Sequence, residues 1–437
     1  MKNNYQLFLC QILNPLSDTK CVWIKQGALL LKKNHHGDFL VHKLGQRDDI
    51  LKRYGSKCSN IHEHSRDLLM PGLFDMHFHW VQDDVRSMPK RSLLQWLAEY
   101  TWPYEYKFKD KGFSRARAKR FADELLSVGT LGGACYASVH GHTVGHALRE
   151  FIGSYIVGNV LMTMNSPAYL TQTKSQALRL VASLAKKYTT RYAVTPRFAP
   201  STHPEVMREA AKMGRQNGSF IQSHLSETEE EVDYVLGLFR QMDGLHKVKT
   251  YTEVYQKCGL LGKKTIMGHG IYLQESEWDL LAKTQTAIAH CPTSNAPHNE
   301  GGLASGLFDF NKADRKNVRW ALGTDIGAGP NLSMLDVMRS FVRQNRRHKV
   351  LGATYVRALY RGTLKGAEIL NKGKTQGNLA LGKEANFIVL KSPRLNGAET
   401  AETVLAKLLD RKSLSRRKLD GLVKKTIYRG REVYRRG

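Results

Sequence analysis

The chain has 437 residues, 41% of them hydrophobic and 24% charged, and no apolar run approaches the roughly 18 residues of a membrane-spanning helix, so we expect no transmembrane segment. Its 67 lysines and arginines outnumber 39 aspartates and glutamates and give a net charge of +28. Such an excess is typical of proteins that bind nucleic acid or an anionic surface. No nucleic-acid motif accompanies it, and we favour a solvated basic surface. The six cysteines form no C-x-x-C pair and the N-terminus has no signal-peptide cleavage site, which predicts a cytoplasmic protein with reduced thiols.

Short apolar runs begin the chain, and Tyr5–Leu13 and Gly27–Leu31 predict β-strands. The C-terminal part has the same character: Gly377–Leu390 predicts two turns and a buried strand, and Thr426–Tyr434 predicts a hairpin that turns at Arg429-Gly430. Because both ends predict β structure around an α/β middle, we expect the N- and C-terminal segments to join in one small β-sandwich domain.

Eight further apolar runs follow one another in the middle of the chain, and most are separated by segments long enough for a helix. They are Leu73–His79, Thr130–His140, Tyr155–Asn165, Tyr192–Phe198, Phe220–His224, Thr265–His269, Thr286–His290 and Val318–Asp325. Eight strand-plus-helix units in about 300 residues predict an α/β fold of the (β/α)8 barrel type. We place the barrel at residues 68–375 and the β-sandwich domain at residues 1–67 plus 376–437.

Polar residues stand at the C-terminal ends of these runs, where barrel enzymes carry their chemistry. His77 and His79 are one residue apart in an extended strand, so their side chains share a face and can hold one metal ion. Later strand ends add His224 and Asp325. Three imidazoles and a carboxylate, without a thiolate, suit Zn²⁺ or Fe²⁺. We expect one such ion per chain.

Two more side chains are candidates for proton transfer. Glu227 lies three residues beyond His224, within reach of a metal-coordinated water. The metal lowers the pKa of such a water from about 15.7 toward 7. A carboxylate at this place can take the water's proton and pass it to a ring nitrogen of the substrate. His269, within Gly268-His269-Gly270, is placed to orient the attacking oxygen.

Taken together, these motifs resemble the amidohydrolase superfamily, and within it the nucleobase deaminases that use one metal ion. The likeness extends over nearly the whole chain and is carried by Pro71–His79, His224–Glu227, Gly268–Gly270, His290–Asn295 and Leu322–Asp325. It implies a homodimer that acts on a small molecule, with Asp325 as a catalytic proton acceptor beside Glu227 and His269.

Within that branch, three features resemble the guanine deaminases: Gln82, the stretch Leu93–Glu105 with Trp102 in it, and Thr195-Pro196-Arg197-Phe198. In that family the matching glutamine and arginine hydrogen-bond the purine edge, and the matching phenylalanine packs near the ring. The resemblance implies that Gln82, Arg197, Phe198 and Trp102 bind the substrate. It also implies hydrolytic deamination of guanine to xanthine and ammonia.

Two alternatives remain open. Trp80 and Val81 stand where small residues are usual in that family, and bulk at this place would narrow the mouth of the pocket. This favours a metal-dependent deaminase of another aminated ring, such as 8-oxoguanine, a pterin or a triazine. The second alternative is a basic, nucleic-acid-associated protein on a deaminase scaffold, although none of the expected metal ligands is lost.

Overall fold

The computed structural model describes residues 4–411 and 414–437, which fold as an α/β protein. Four strands come first: β1 (Tyr5–Pro15), β2 (Cys21–Lys33), β3 (Phe39–Gln46) and β4 (Asn60–Pro71). Eight barrel strands follow: β5 (Leu73–His79), β6 (Thr130–Ala137), β7 (Ser154–Leu161), β8 (Ala193–Pro196), β9 (Phe220–Leu225), β10 (Thr265–His269), β11 (Ala287–His290) and β12 (Arg319–Leu322). Three strands end the chain: β13 (Phe387–Lys391), β14 (Val423–Tyr428) and β15 (Arg431–Arg435).

Helices connect the strands, and across the described residues each of them is too short or too polar to cross a membrane. They are α1 (Arg47–Tyr54), α2 (Leu93–Trp96), α3 (Trp102–Tyr106), α4 (Lys111–Ser127), α5 (His142–Glu150), α6 (Lys174–Tyr188), α7 (Pro204–Gln216), α8 (Glu229–Phe239), α9 (Tyr251–Lys257), α10 (Glu275–Thr284), α11 (Phe310–Arg315), α12 (Met334–Arg347), α13 (Tyr355–Arg361), α14 (Leu364–Ile369), α15 (Ala401–Leu409) and α16 (Arg416–Asp420). Local sequence explains where several begin. The Thr173 hydroxyl and the Gln176 side chain cap α6 reciprocally, and Thr228 caps α8 ahead of three glutamates in its first turn.

The barrel strands pair in parallel and in chain order from β5 to β12. Each overlaps the apolar run that predicted it, so the (β/α)8 barrel is confirmed. The ring closes at its C-terminal end, where the amide of Asp325 donates to the carbonyl of His77 at 2.7 Å and the amide of His79 donates to the carbonyl of Ile326 at 2.5 Å. Closure therefore brings the ends of the first and last strands, with three predicted metal ligands, into direct contact.

The two ends of the chain form one mixed sheet of seven strands, in the order β15-β14-β13-β4-β1-β2-β3. This sheet curls on itself, because its edge strand β3 also bonds the segment ahead of β13. The amide of Val41 donates to the carbonyl of Lys383 at 2.8 Å, and the amide of Ala385 donates to the carbonyl of Phe39 at 3.0 Å. A separate apolar cluster fills the curl. The predicted joining of the two termini is confirmed.

The sheet and the barrel share apolar packing along β4. This strand runs past the predicted boundary at residue 67 and pairs with β13 from Asp67 to Pro71. Leu68 and Met70 of β4 belong to the same hydrophobic cluster as the barrel residues Leu73 and Phe78. The division at residues 67/68 and 375/376 stays a prediction, and a continuous core crosses the first of these positions.

The predicted hairpin turn at Arg429-Gly430 joins β14 to β15 and allows a direct test. Gly430 has φ +75°, and a Cβ atom there would lie 2.4 Å from Cβ of Phe39 on β3. We expect Gly430→Ala to lower the free energy of unfolding by about 3 kcal/mol, because left-handed backbone costs an alanine about 1–2 kcal/mol and the contact with Phe39 adds overpacking of about 1–3 kcal/mol. Urea denaturation followed by circular dichroism measures the change.

Gly382 supplies the matched control for this substitution. Its φ of +81° is similar, but a Cβ atom there would have no neighbour within 4 Å. Gly382→Ala should therefore show the backbone cost alone, about 1 kcal/mol. Equal losses in the two variants would contradict the clash with Phe39.

Candidate active site

The C-terminal ends of β5, β9, β10 and β12 bring four histidines and an aspartate together. The Nε2 atoms of His77, His79 and His224 lie 3.2–3.3 Å from one another. Oδ1 of Asp325 lies 3.2 Å from Nε2 of His77 and 3.4 Å from Nε2 of His79. The ring of His269 borders this group, since its ligand atom lies within 4.8 Å of those of His77, His224 and Asp325.

This geometry fits a metal ion. Five of the six distances among the four ligand atoms are 3.2–3.4 Å, and the ligand atoms of His224 and Asp325 lie within 4.8 Å of each other. Atoms spaced in this way can surround one ion at about 2.0–2.2 Å, the range of Zn–N and Zn–O distances. The Nε2 atoms of His77, His79 and His224 all face one point. A cation at that point would be a better partner for their lone pairs than another ring nitrogen.

The protonation of the rings agrees with this reading. Burial lowers the pKa of His79 to about 3, and burial together with the neighbouring rings holds the pKa of His224 well below its usual value. Nδ1 of His224 donates to the carbonyl of Arg197 at 2.5 Å, so its proton is on Nδ1 and the lone pair of Nε2 faces the cluster. Neutral imidazoles are the form that binds metal.

Buried hydrogen bonds fix the carboxylate side of the cluster. Ser294 donates its hydroxyl to Oδ2 of Asp325 at 2.6 Å, which leaves Oδ1 for the histidines. Asp75 accepts from the amide and hydroxyl of Thr324 at 2.9 and 2.5 Å and from the amide of His77 at 3.2 Å. It thereby joins the end of β12 to β5, and burial raises the pKa of Asp75 to about 7.

The three predicted catalytic residues lie next to one another. Oε2 of Glu227 is 3.5 Å from Nε2 of His269, and Oδ2 of Asp325 is 3.9 Å from the same nitrogen. Asn295 donates to Nδ1 of His269 at 3.2 Å, so the ring proton is on Nε2 and points at the two carboxyl groups. Burial, and then the charges of Asp325 and Glu231, raise the pKa of Glu227 well above its usual value. The raised pKa favours the protonated form of Glu227, which suits this residue to donate a proton.

Backbone conformation shows that these positions are held against local preference. His269 and Asp325 have φ of +71° and +51°, and Ser226, which precedes Glu227, has φ +50°. Left-handed backbone at residues other than glycine is unfavourable, and it persists where the surrounding structure imposes it. The strands and the hydrogen bonds around the cluster impose it here.

A pocket opens beside the cluster and contains three of the four residues predicted to bind substrate. Gln82 and Arg197 form its polar edge, and Phe198 lies at its side. The lining residues are His79, Gln82, Leu93, Trp96, Leu97, Arg197, Phe198, His224, Glu227, Glu231, Asp325 and Ala328. Five of these twelve residues are apolar and seven are polar or titratable, so the pocket suits a small, polar ring.

Two tryptophans lie elsewhere than expected. Among the described residues that line the pocket, Trp102 does not appear; it packs against a cluster that includes Tyr136 and Val139. Substrate binding by Trp102 stays a prediction that this position does not favour. Trp80 is 1% exposed and contacts Phe108 edge to face at 5.0 Å, so its bulk enters the core and does not narrow the pocket mouth. The expectation for Trp80 was wrong because it assumed an exposed loop after β5.

Sequence reasoning missed Glu105, which lies behind the polar edge of the pocket. Its carboxylate accepts from Nη1 of Arg197 at 2.7 and 2.9 Å and from Nε2 of Gln82 at 2.7 Å. It also missed Glu231, which lines the pocket and accepts from the amide of Glu227 at 2.8 Å. A signal existed in each case: an acid inside the aromatic stretch Leu93–Glu105, and an acid four residues after Glu227.

Comparison with known proteins agrees with this site. Residues 68–433 match the amidohydrolase family. Guanine deaminase of Escherichia coli (strain K12) is 33% identical over 382 residues, which cover 84% of this chain and 82% of that protein. Among solved structures, E. coli guanine deaminase superposes with a TM-score of 0.84 at 27% identity, with all of both chains covered. Guanine deaminase from C. acetobutylicum with bound guanine in the active site gives 0.82 at 25% identity, with 99% of this chain and all of the other covered. The chain belongs to the amidohydrolase family and is a metal-dependent hydrolase that acts on a C–N bond.

Proposed function

We propose that the chain catalyses hydrolytic deamination of guanine to xanthine and ammonia. The observation that carries the proposal is the polar edge formed by Gln82 and Arg197 in a pocket that also contains Glu227 and the metal cluster. The similarity to guanine deaminases over most of the chain supports it. We further propose that the enzyme is a cytoplasmic homodimer.

We propose that His77, His79, His224 and Asp325 hold one Zn²⁺ per chain, with Fe²⁺ as the alternative. Five distances of 3.2–3.4 Å among their donor atoms support this ligand set. A divalent metal there supplies a water of lowered pKa, and so a nucleophile near neutral pH.

The residues of the chain then position the purine and move protons. Arg197 donates to the acceptors of the guanine edge, Gln82 bonds the same edge, and Phe198 packs near the ring. Glu227, whose protonated form is favoured by its raised pKa, gives its proton to N3, the ring nitrogen beside C2. Asp325 accepts the proton of the water that attacks C2, while His269 orients the attacking oxygen.

The second half of the reaction returns the site to its starting state. The C2–O bond has formed, and the C2–N bond to the amino group breaks. The departing amino group takes the proton that Asp325 holds and leaves as ammonia, while the hydroxyl on C2 gives its proton to Glu227 and becomes a carbonyl of xanthine. Ser305 donates to Oε1 of Glu227 at 3.2 Å, which keeps the other oxygen, Oε2, directed toward His269.

No observation favours the alternatives at this point. Trp80 favoured another aminated ring only if it stood at the pocket mouth, and Trp80 is in the core. The net charge of +28 favours nucleic acid, but among the described residues that line the pocket, Arg197 is the one lysine or arginine. We interpret the remaining basic residues as a solvated surface.

The metal assignment predicts different outcomes for two buried histidines at strand ends. His79→Ala should lower metal content from about one ion per chain to a small fraction, because one of four ligands is lost. His290→Ala is the matched control, since His290 is 1% exposed and stacks on Phe308 at 5.0 Å. It should keep its metal. Elemental analysis of the purified proteins measures both, and retention of metal in His79→Ala contradicts the ligand set.

Removal of the metal should also lower thermal stability. A metal that binds the native state and not the unfolded chain stabilises the fold by mass action. Treatment with a chelator should therefore lower the midpoint of thermal unfolding of the wild type, and readdition of Zn²⁺ should restore it. The same treatment should leave His79→Ala nearly unchanged. A wild type that is insensitive to the chelator, after its metal has been shown to be gone, contradicts the coupling.

Activity tests the substrate and the role of Glu227. We expect ammonia release from guanine, and little or none from adenine, cytosine, 8-oxoguanine, a pterin or a triazine. Glu227→Gln should reduce kcat on guanine by about 10²–10⁴-fold or more, because it removes proton transfer, while metal content stays near normal. Glu230→Gln is the control, since Glu230 is an exposed residue in the first turn of α8. Metal loss in Glu227→Gln, or equal rates in the two variants, would refute the assigned role.

A further inference from the structure

Glu105 makes contacts that set the polar character of the pocket without touching the pocket itself. It is 1% exposed, and Gln82 and Arg197 are 2% and 3% exposed. Both of its carboxylate oxygens accept from Nη1 of Arg197, and Oε1 also accepts from Nε2 of Gln82 at 2.7 Å. The described residues that line the pocket include Gln82 and Arg197 but not Glu105.

These bonds decide which atoms of Gln82 face a ligand. A carboxylate only accepts hydrogen bonds, so the amide of Gln82 must turn its NH₂ group to Glu105. Its Oε1 then lies on the opposite side, where the amide of Gly327 is 3.4 Å away. An oxygen with two lone pairs keeps one free for a donor on the ligand. Gln82 therefore presents an acceptor.

Arg197 presents the complementary group. Its Nη1 is occupied by Glu105, and its Nε and Nη2 find no acceptor among residues 4–411 and 414–437. Arginine can only donate, so these N–H groups remain for an acceptor on the ligand. The polar edge of the pocket thus offers an acceptor from Gln82 together with donors from Arg197.

We propose that Glu105 is a positioning residue that fixes this order and so restricts the substrate to rings with a lactam edge, in which a ring N–H adjoins a carbonyl. The ring N–H donates to Oε1 of Gln82, and the carbonyl accepts from Arg197. A ring with an unprotonated nitrogen beside an exocyclic amino group presents the reverse order. Its ring nitrogen, an acceptor, would face the acceptor Oε1 of Gln82, and its amino group, a donor, would face the donors of Arg197. The inference deepens the proposed function and rests on it for the identity of the substrate.

Binding of two purines that lack the reacting amino group tests the proposal without turnover. Hypoxanthine has the lactam edge, and adenine has the reverse order. We expect the wild type to bind hypoxanthine more tightly than adenine by roughly 100-fold or more, measured by calorimetry. In Glu105→Gln the new side chain offers both an NH₂ group and an oxygen, so the amide of Gln82 can bind it in either orientation. The ratio of the two affinities should therefore fall by at least about tenfold, which is the free energy of one hydrogen bond.

A control and a double variant separate positioning from a structural effect. Glu99→Gln changes an exposed acid in the same segment, which contacts Gln95, and should leave the ratio unchanged. If Glu105 acts through Gln82, then Glu105→Gln should change the ratio far less in a Gln82→Leu background than alone. Independent effects in the double variant, or equal weakening of both ligands in Glu105→Gln, would overturn the proposal.

Stability of the variant does not limit the test. Loss of the Glu105 charge leaves Arg197 buried without its partner, which is destabilising. If Glu105→Gln fails to fold, Glu105→Asp keeps the charge but shortens the side chain, so it cannot reach Gln82 and Arg197 together, and the same drop in the ratio is expected. Failure of the wild type to deaminate guanine refutes the proposed function alone, because the hypoxanthine-to-adenine ratio is measured independently of any reaction.

Discussion

The structure depends on the junction between the first and last barrel strands, which a buried carboxylate makes specific. Asp75 is fully buried and accepts three hydrogen bonds, two from Thr324 and one from the amide of His77. A buried group left without such partners costs about 1–3 kcal/mol, so any other register at this junction is disfavoured. His77 and Asp325 are neighbours of Asp75 and of Thr324 in the sequence, and the closure of the barrel therefore sets the spacing of the proposed metal ligands.

Burial acts on the acids and bases of the site in opposite directions, and both effects serve the chemistry. It lowers the pKa of His79 and His269 to about 3 and about 4, so the rings stay neutral. It raises the pKa of Glu227, with help from the charge of Asp325, so this acid keeps its proton. Burial alone would raise the pKa of Asp325 too, but its contacts with the rings of His77 and His79 hold it well below its usual value. The same buried site thus favours Glu227 as the proton donor and Asp325 as the proton acceptor.

Local pattern was sufficient to predict the strands and the metal cluster, because each barrel strand is a short apolar run that ends in its own polar residue. The same reasoning failed for Trp80, whose burial depends on how the segment from α2 to α3 packs over the barrel, while the role of Trp102 stays a prediction. It also missed Glu105, whose contact with Arg197 spans 92 positions in the chain. The acid is visible within the stretch Leu93–Glu105, but nothing local shows that its partners come from two other strand ends. Packing between distant segments therefore accounts for what could not be predicted.

The terminal sheet has a consequence for the order in which the protein assembles during synthesis. Strand β4 continues through Gly72 into β5, which contains His77 and His79, yet its neighbour β13 belongs to the far end of the chain. Until that end leaves the ribosome, β4 has an unpaired edge next to the nascent barrel, and such edges invite pairing with other chains. The edge of β4, which runs into the strand of His77 and His79, is thus paired only after the C-terminal strands have been made.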